Sequence, residues 1–254
     1  MREITCTPFK GVEVEGLSKS FSLENNRVQA LSDITITVER GSFVSIVGYS
    51  GCGKTTLLNT VLGLQEPDCG HVRFTGMRGR TAIVFQEPRL VSALTVEKNM
   101  ALALTHEPDT RKKQRKIDEV LEMLGLTAFR KARPCQLSGG MAQRVALGRA
   151  LCREPELLLM DEPFGSLDAL NRGYLQSELI EIYRKKKITI LFVTHDVSEA
   201  VLLGNRVLVM EAGSISRDIP IDLEYPRNRS SSDFLSLRDG VLNSILNSNL
   251  LCKE

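Results

Sequence analysis

The residues best suited to chemistry lie in one short stretch, Gly48 to Thr56, which reads GYSGCGKTT. Gly48, Gly53, Lys54 and Thr55 fit the pattern G-x-x-x-x-G-K-[ST]. Glycines let backbone N–H groups curl around phosphate oxygens with no Cβ in the way. Lys54 can reach the β- and γ-phosphates of a nucleoside triphosphate, and the Thr55 hydroxyl can ligate Mg²⁺. The candidate phosphate-binding residues are therefore Gly48, Tyr49, Ser50, Gly51, Cys52, Gly53, Lys54, Thr55 and Thr56. Cys52 reads as a small filler inside the loop.

Two acidic and basic clusters extend the chemistry. Asp161-Glu162 follows the apolar run LLLM, and Thr194-His195-Asp196 follows ITILFV. A first carboxylate can organise Mg²⁺, commonly through its water ligands, and a second can polarise an attacking water. An imidazole N–H placed beside a γ-phosphate can donate to its oxygen. A further segment, Leu137-Ser138-Gly139-Gly140-Met141, opens the helical run AQRVALGRAL. A Ser followed by two glycines at a helix start is a second anion-binding device. Alone, an acidic pair reads equally well as a cap, and the Ser-Gly-Gly segment as an N-cap with flexible glycines.

The elements that must position these groups can be read from periodicity. FVSIV (43–47), LLLM (157–160), ITILFV (188–193) and RVLVM (206–210) are continuous apolar runs of the kind found in buried parallel strands. Ligands of open α/β sheets bind at the carboxyl ends of such strands, where Gly48, Asp161 and His195 all fall. Residues 11–17 and 34–38 alternate as strands of an outer layer, and 71–75, 80–85 and 214–219 are further strand candidates. Helices are expected over 54–62, 95–104, 110–124, 138–153, 169–187 and 234–246, with a short one after Asp196; 222–232 reads as a loop. Between 87 and 155 the texture is helical, so the expected organisation is an α/β core over 1–86 and 156–254 with a helical subdomain at 87–155. The basic run RKKQRK at 111–116 reads as a solvated face.

Composition narrows the class. The chain has 254 residues, 42% hydrophobic and 25% charged, enough for a sizeable core. A formal net charge of +2 gives no electrostatic case for a nucleic-acid partner. No apolar run approaches bilayer-spanning length and no signal-like start is present. Cys6, Cys52, Cys69, Cys135, Cys152 and Cys252 form no C-x-x-C pair and read as reduced thiols.

Taken in order, GYSGCGKTT, FQEP (85–88), LSGGMAQRVALGRAL, LLLMDEPFGSLD and VTHD resemble the full motif set of ATP-binding cassette (ABC) ATPases, over nearly the whole chain. The resemblance implies a P-loop NTPase core with an antiparallel β layer and an inserted helical subdomain. It implies a head-to-tail dimer in which each ATP lies between the phosphate loop of one copy and Ser138, Gly139 and Gly140 of the other. It also implies that Gln86 touches Mg²⁺ or the attacking water and senses the transporter, that Asp161 serves the metal and that Glu162 is the general base. Asp168 would lie in the loop crossing the dimer interface, His195 would be the switch histidine, and Phe21 would stack on adenine. The wording LSGGM, VFQEP, DEPFGSLD and the late YPRNR segment (225–229) are similar to importer cassettes of the nitrate, sulfonate and taurine group. That implies a permease partner, a periplasmic binding protein indirectly, and a place at the cytoplasmic face of the inner membrane. Tyr49, Val91-Ser92-Ala93 and Ala142 depart from the usual pattern. The competing readings are an importer for another solute class, a non-transport ABC ATPase of repair or translation, and a nucleotide-binding regulator that does not hydrolyse. The segment between the phosphate loop and Leu137 is too short for the long coiled-coil arm of repair members.

Overall fold

The computed structural model describes residues 9–23, 26–75 and 80–251; Cys6 and Cys252 fall outside them. In chain order the elements are β1 (Gly11–Leu23), β2 (Asn26–Glu39), β3 (Phe43–Val47), α1 (Lys54–Leu62), β4 (Cys69–Thr75), β5 (Thr81–Val84), α2 (Val96–Ala101), α3 (Thr110–Met123), α4 (Gly139–Leu151), β6 (Leu157–Asp161), α5 (Ala169–Lys186), β7 (Thr189–Thr194), α6 (Val197–Leu203), β8 (Arg206–Glu211), β9 (Ser214–Pro220) and α7 (Ser232–Leu251). Short 3₁₀ turns occupy Leu102–Leu104, Thr127–Phe129 and Pro134–Gln136. The chain divides into two compact units, Met1–Gly79 with Lys187–Glu254, and Arg80–Lys186. Among the described residues no helix is long and apolar enough to cross a membrane.

The first unit has two sheets. In one, β3 pairs in parallel with β7 on one side and β8 on the other, and β9 closes the edge antiparallel to β8. Every residue of β3 and β7 is buried, which is why these segments read as unbroken apolar runs. The second sheet is antiparallel, with β1 between β2 and β4. Here Ile34, Ile36 and Val38 point inward while Thr35, Thr37 and Glu39 face solvent, the alternation of a half-wetted layer. β1 and β2 run further than 11–17 and 34–38. Their outer stretches, 18–22 and 26–33, are exposed or half-buried apart from Leu31 and carry no clean alternation; Asp68 ties down β1 there, accepting from Lys19 Nζ and from the Ser20 N–H, each at 2.7 Å. Helix α6 packs on β3 and β7, and α7 on α6 and β8.

The second unit is organised around α4, which packs against α2, α3, α5 and β5. Gly148 explains how the helices approach so closely. A Cβ there would stand 2.5 Å from Met100 Cε and 3.0 Å from Leu124 Cδ1. Ile117, Val120, Leu121 and Leu124 are buried on one face of α3 and its C-cap, as their spacing predicts. Cys152 ends α4; burial pushes its thiol up to about 12, so it is a neutral packing group. β5 and β6 pair in parallel, Val84 beside Met160. The helix expected over 95–104 divides into α2 and the Leu102–Leu104 3₁₀ turn.

Asn99 in α2 is fully buried and knots the preceding loop. Its Oδ1 accepts from the Val91 N–H at 2.8 Å, and its Nδ2 lies 3.1–3.2 Å from the carbonyls of Val91, Leu94 and Thr95. Removing it strands buried backbone groups. Asn99→Ala should cost about 2–3 kcal/mol of stability, read as a lowered urea midpoint at unchanged slope. A loss below about 0.5 kcal/mol, the range of an ordinary surface change, would contradict this account.

Candidate active site

In the first unit, pairing of β3 with β7 sets Val47 opposite Thr194, so Gly48 and His195 leave the sheet side by side. The loop after Val47 is compressed by its neighbours. A Cβ on Gly48 would lie 2.2 Å from the Met210 carbonyl oxygen, and one on Gly53 would lie 2.1 Å from that of Ala30. Gly53 also has φ 103°, a left-handed conformation that favours glycine. Lys54 is 4% exposed, and its ammonium donates to the carbonyls of Gly48 and Tyr49, both at 2.8 Å. The lysine thus folds the loop around its own positive charge. Helix α1 begins at once, with no side-chain cap and no acidic residue in its first turn. Its positive end is therefore available to an anion. Tyr49, Ser50, Gly51 and Thr55 form the exposed rim, with Thr56 and Gly53 half-buried. Tyr49 is 44% exposed. Cys52 is buried, and desolvation pushes its thiol up against the opposing pull of Lys54.

His195 is exposed at the end of a buried strand. Its flanks are fixed on both sides. Thr194 Oγ1 accepts from the Asp196 N–H at 3.0 Å and donates to the buried Glu199 carboxylate at 2.7 Å; Asp196 caps α6 by accepting from the Ser198 and Glu199 N–H groups. Phe21 is half-buried on β1 opposite Val28, with Lys19 Nζ 5.8 Å from its ring centre. Val28 lies two residues along β2 from Ala30, the residue that meets Gly53.

The second unit gathers the remaining groups. β5 and β6 end together, carrying Gln86 beyond one and Asp161-Glu162 at the end of the other. Gln86 Nε2 stands 3.2 Å from where a Cβ on Gly165 would be, and the Gly165 N–H donates to the Glu162 carbonyl at 3.1 Å. Glu162 has φ 43°. A non-glycine residue in that region is strained by roughly 1–3 kcal/mol and is concentrated at working sites. Ser138 is the N-cap of α4, accepting from the Met141 N–H at 3.3 Å. Behind it, Gly140 packs on Asn171, with 3.2 Å from a Cβ position to the Asn171 side chain. Asn171 in turn donates to Asp168 through its backbone N–H at 3.0 Å and its amide at 2.6 Å. These bonds hold the Asp168 carboxyl below the usual range.

Several supporting residues carry no motif of their own. Buried Gln143 donates to the Phe85 carbonyl at 2.9 Å, and Arg149 donates to the carbonyls of Pro88 and Arg89 at 3.0 and 2.9 Å. Helix α4 therefore carries Ser138 at one end and grips the Gln86 loop along its side. The β8–β9 turn supports the phosphate loop, where the Gly213 N–H donates to the Cys52 carbonyl at 3.1 Å. Only a polar residue on the inner face of an apolar helix, as at Gln143, hints at these roles in the sequence.

The fold and the two groups of residues define a nucleotide-binding cassette, and comparison with known proteins agrees. The family described as ABC transporter matches residues 31–165. The chain is 47% identical over 232 residues to the aliphatic sulfonates import ATP-binding protein SsuB of Bacillus subtilis (strain 168), covering 88% of this chain and 90% of that protein. It is 45% identical over 240 residues to an uncharacterized ABC transporter ATP-binding protein, MJ0412, of Methanocaldococcus jannaschii, covering 91% and 90%. Among solved structures, the dimeric post-hydrolysis state of the ATP-binding cassette MJ0796 bound to ADP and Pi superposes with TM-score 0.75 at 28% identity, covering 84% of this chain and all of that one. The chain belongs to the ABC transporter family. It is an ATP-binding, ATP-hydrolysing cassette with the P-loop α/β fold of that family.

Gly53→Ala forces a Cβ against the Ala30 carbonyl in an unfavourable φ. ATP affinity in that variant should fall at least tenfold, about 1.4 kcal/mol, in an equilibrium titration with a fluorescent ATP analogue. Wild-type affinity would show that the loop does not need this close approach.

Proposed function

We propose that this chain powers uptake of a small organic anion of the sulfonate class, working as a homodimer beneath a membrane permease. The observation that carries the reading is the 47% identity, over nine-tenths of its length, to a sulfonate import ATP-binding protein. The homodimer binds two ATP molecules head to tail. The phosphate loop of one copy and Ser138, Gly139 and Gly140 of the other hold each triphosphate. Phe21 supplies the face on which adenine stacks. The helical segment at 87–155 meets the permease, which keeps the protein at the cytoplasmic side of the inner membrane, and a periplasmic binding protein delivers the solute.

The residues do their work mainly by position and charge. Lys54 neutralises the β- and γ-phosphates. Glu162, held in its strained conformation, orients the attacking water and takes its proton. His195 donates to a γ-phosphate oxygen, and Asp168 carries the interface loop against the other copy. Gln86 reports the state of the permease to the attacking water. Thr55, Gln86 and Asp161 offer only oxygen donors, the hard ligands that suit Mg²⁺. When bound, Mg²⁺ supplies charge neutralisation of the phosphate oxygens.

Glu162→Gln tests the assignment in two settings. The purified variant should keep ATP affinity, lose at least about 100-fold in turnover, as expected for loss of a general base, and accumulate as a dimer with ATP on size exclusion. Cells carrying the variant should lose uptake of a labelled alkanesulfonate. Unchanged hydrolysis would remove Glu162 as the base; intact uptake of alkanesulfonate in cells lacking the chain would remove the transport reading.

A further inference from the structure

The YPRNR segment, Tyr225 to Arg229, lies in the loop between β9 and α7, and nothing in the hydrolytic set uses it. Its arginine is nonetheless among the most deeply buried charges of the first unit. Arg227 is 8% exposed. Its Nη1 donates to the carbonyls of Val201 and Gly204 at 2.6 and 2.5 Å, its Nε to that of Leu223 at 3.0 Å, and its Nη2 reaches that of Ile221 at 3.5 Å. The guanidinium stacks 4.3 Å from the centre of the Tyr225 ring, and the Tyr225 hydroxyl donates to the Leu203 carbonyl. Val201, Leu203 and Gly204 are the C-terminal end of α6. The helix does not end in a left-handed turn; its C-cap, Gly204, is extended at φ −80° and ψ 143°. The two side chains therefore satisfy the helix-end carbonyls of Val201, Leu203 and Gly204, which have no following turn of helix to bond them, and a buried cation sits at the negative end of the helix dipole.

The other end of α6 is where His195 emerges. The helix has seven residues and is too short to persist without its ends being held. At its start, Asp196 caps it and Glu199 locks it to Thr194. At its finish, Gly204 abuts β3: a Cβ there would lie 2.5 Å from Ser45 Oγ, and the Asn205 N–H donates to the Phe43 carbonyl at 2.9 Å. A two-turn helix fixed at both ends moves as one body. We propose that Arg227 and Tyr225 are positioning residues for hydrolysis: by clamping the C-terminal carbonyls of α6 they set the seat of that helix and, through it, the backbone from which His195 reaches the γ-phosphate. This rests on the role assigned to His195 above.

The test is a double-mutant cycle on the purified full-length chain, with ATPase rates referred to the ATP-binding-competent fraction. Arg227→Gln should lower kcat about tenfold, with KM for ATP within about twofold of wild type. Arg227→Lys, which keeps a cation at the helix end, should recover part of the loss. In a His195→Ala background, Arg227→Gln should cause no further loss beyond about twofold, since both changes act on one step. Tyr225→Phe removes only the hydroxyl and serves where Arg227→Gln does not fold; it should lower kcat about two- to fivefold with the same dependence on His195. Wild-type kcat in folded Arg227→Gln or Tyr225→Phe overturns the proposal, as does an equal loss with and without His195. A wild-type rate for His195→Ala alone would instead overturn the role of His195, and the positioning role with it.

Discussion

The structure depends on one tight place, the turn from Val47 into α1. A buried strand delivers the backbone there, and two carbonyl oxygens, from Met210 and Ala30, press on Gly48 and Gly53 at distances that exclude any side chain. The Lys54 ammonium draws the Gly48 and Tyr49 carbonyls inward. The loop is therefore shaped by packing on one side and a buried charge on the other. Such preorganisation is what an anion site needs, because donors already in position require no rearrangement when charge develops.

The second unit meets a different demand. Its groups must be aimed, and the device is α4. That helix starts at Ser138, passes Gln143 and Arg149 to the loop that holds Gln86, and packs through Gly148 against α2 and α3. Gly140 rests on Asn171, which fixes Asp168. Any shift of α4 is thus felt at Ser138, at Gln86 and at Asp168 together. In a cassette that must couple a permease to hydrolysis, one helix linking these points is a direct physical route. Glu162, just past the end of β6, adds a backbone held at φ 43°.

Much of this was legible in the chain itself. Buried parallel strands announce themselves as FVSIV and ITILFV, and a glycine-lysine-threonine turn between strand and helix has few other uses. Thr95 and Ser138 cap the helices that follow them, as short polar side chains at such places do. The outer halves of β1 and β2 were silent because, Leu31 apart, their residues are only half-buried or exposed and show no clean alternation. The supports of the site were silent for another reason. Met210, Ala30 and Gly213 act through their backbones, which any residue supplies, and Arg227 acts on carbonyls more than 20 residues away in the chain. A sequence pattern records which side chains are present; it does not record which carbonyl they will meet.

The central claim is that the two anion-binding ends of one chain serve two different ATP molecules, each completed by a second copy. Mixing two inactive variants measures this directly. Lys54→Ala destroys the phosphate loop and Ser138→Arg blocks the α4 end, so each homodimer lacks both sites. A mixed dimer assembled head to tail keeps one intact site. Equimolar mixing should restore roughly a quarter of wild-type ATPase activity, since random pairing places half of the chains in mixed dimers with one working site of two. If mixing restores nothing while both variants stay folded and dimeric, or if either variant hydrolyses ATP alone at the wild-type rate, the shared-site account is wrong.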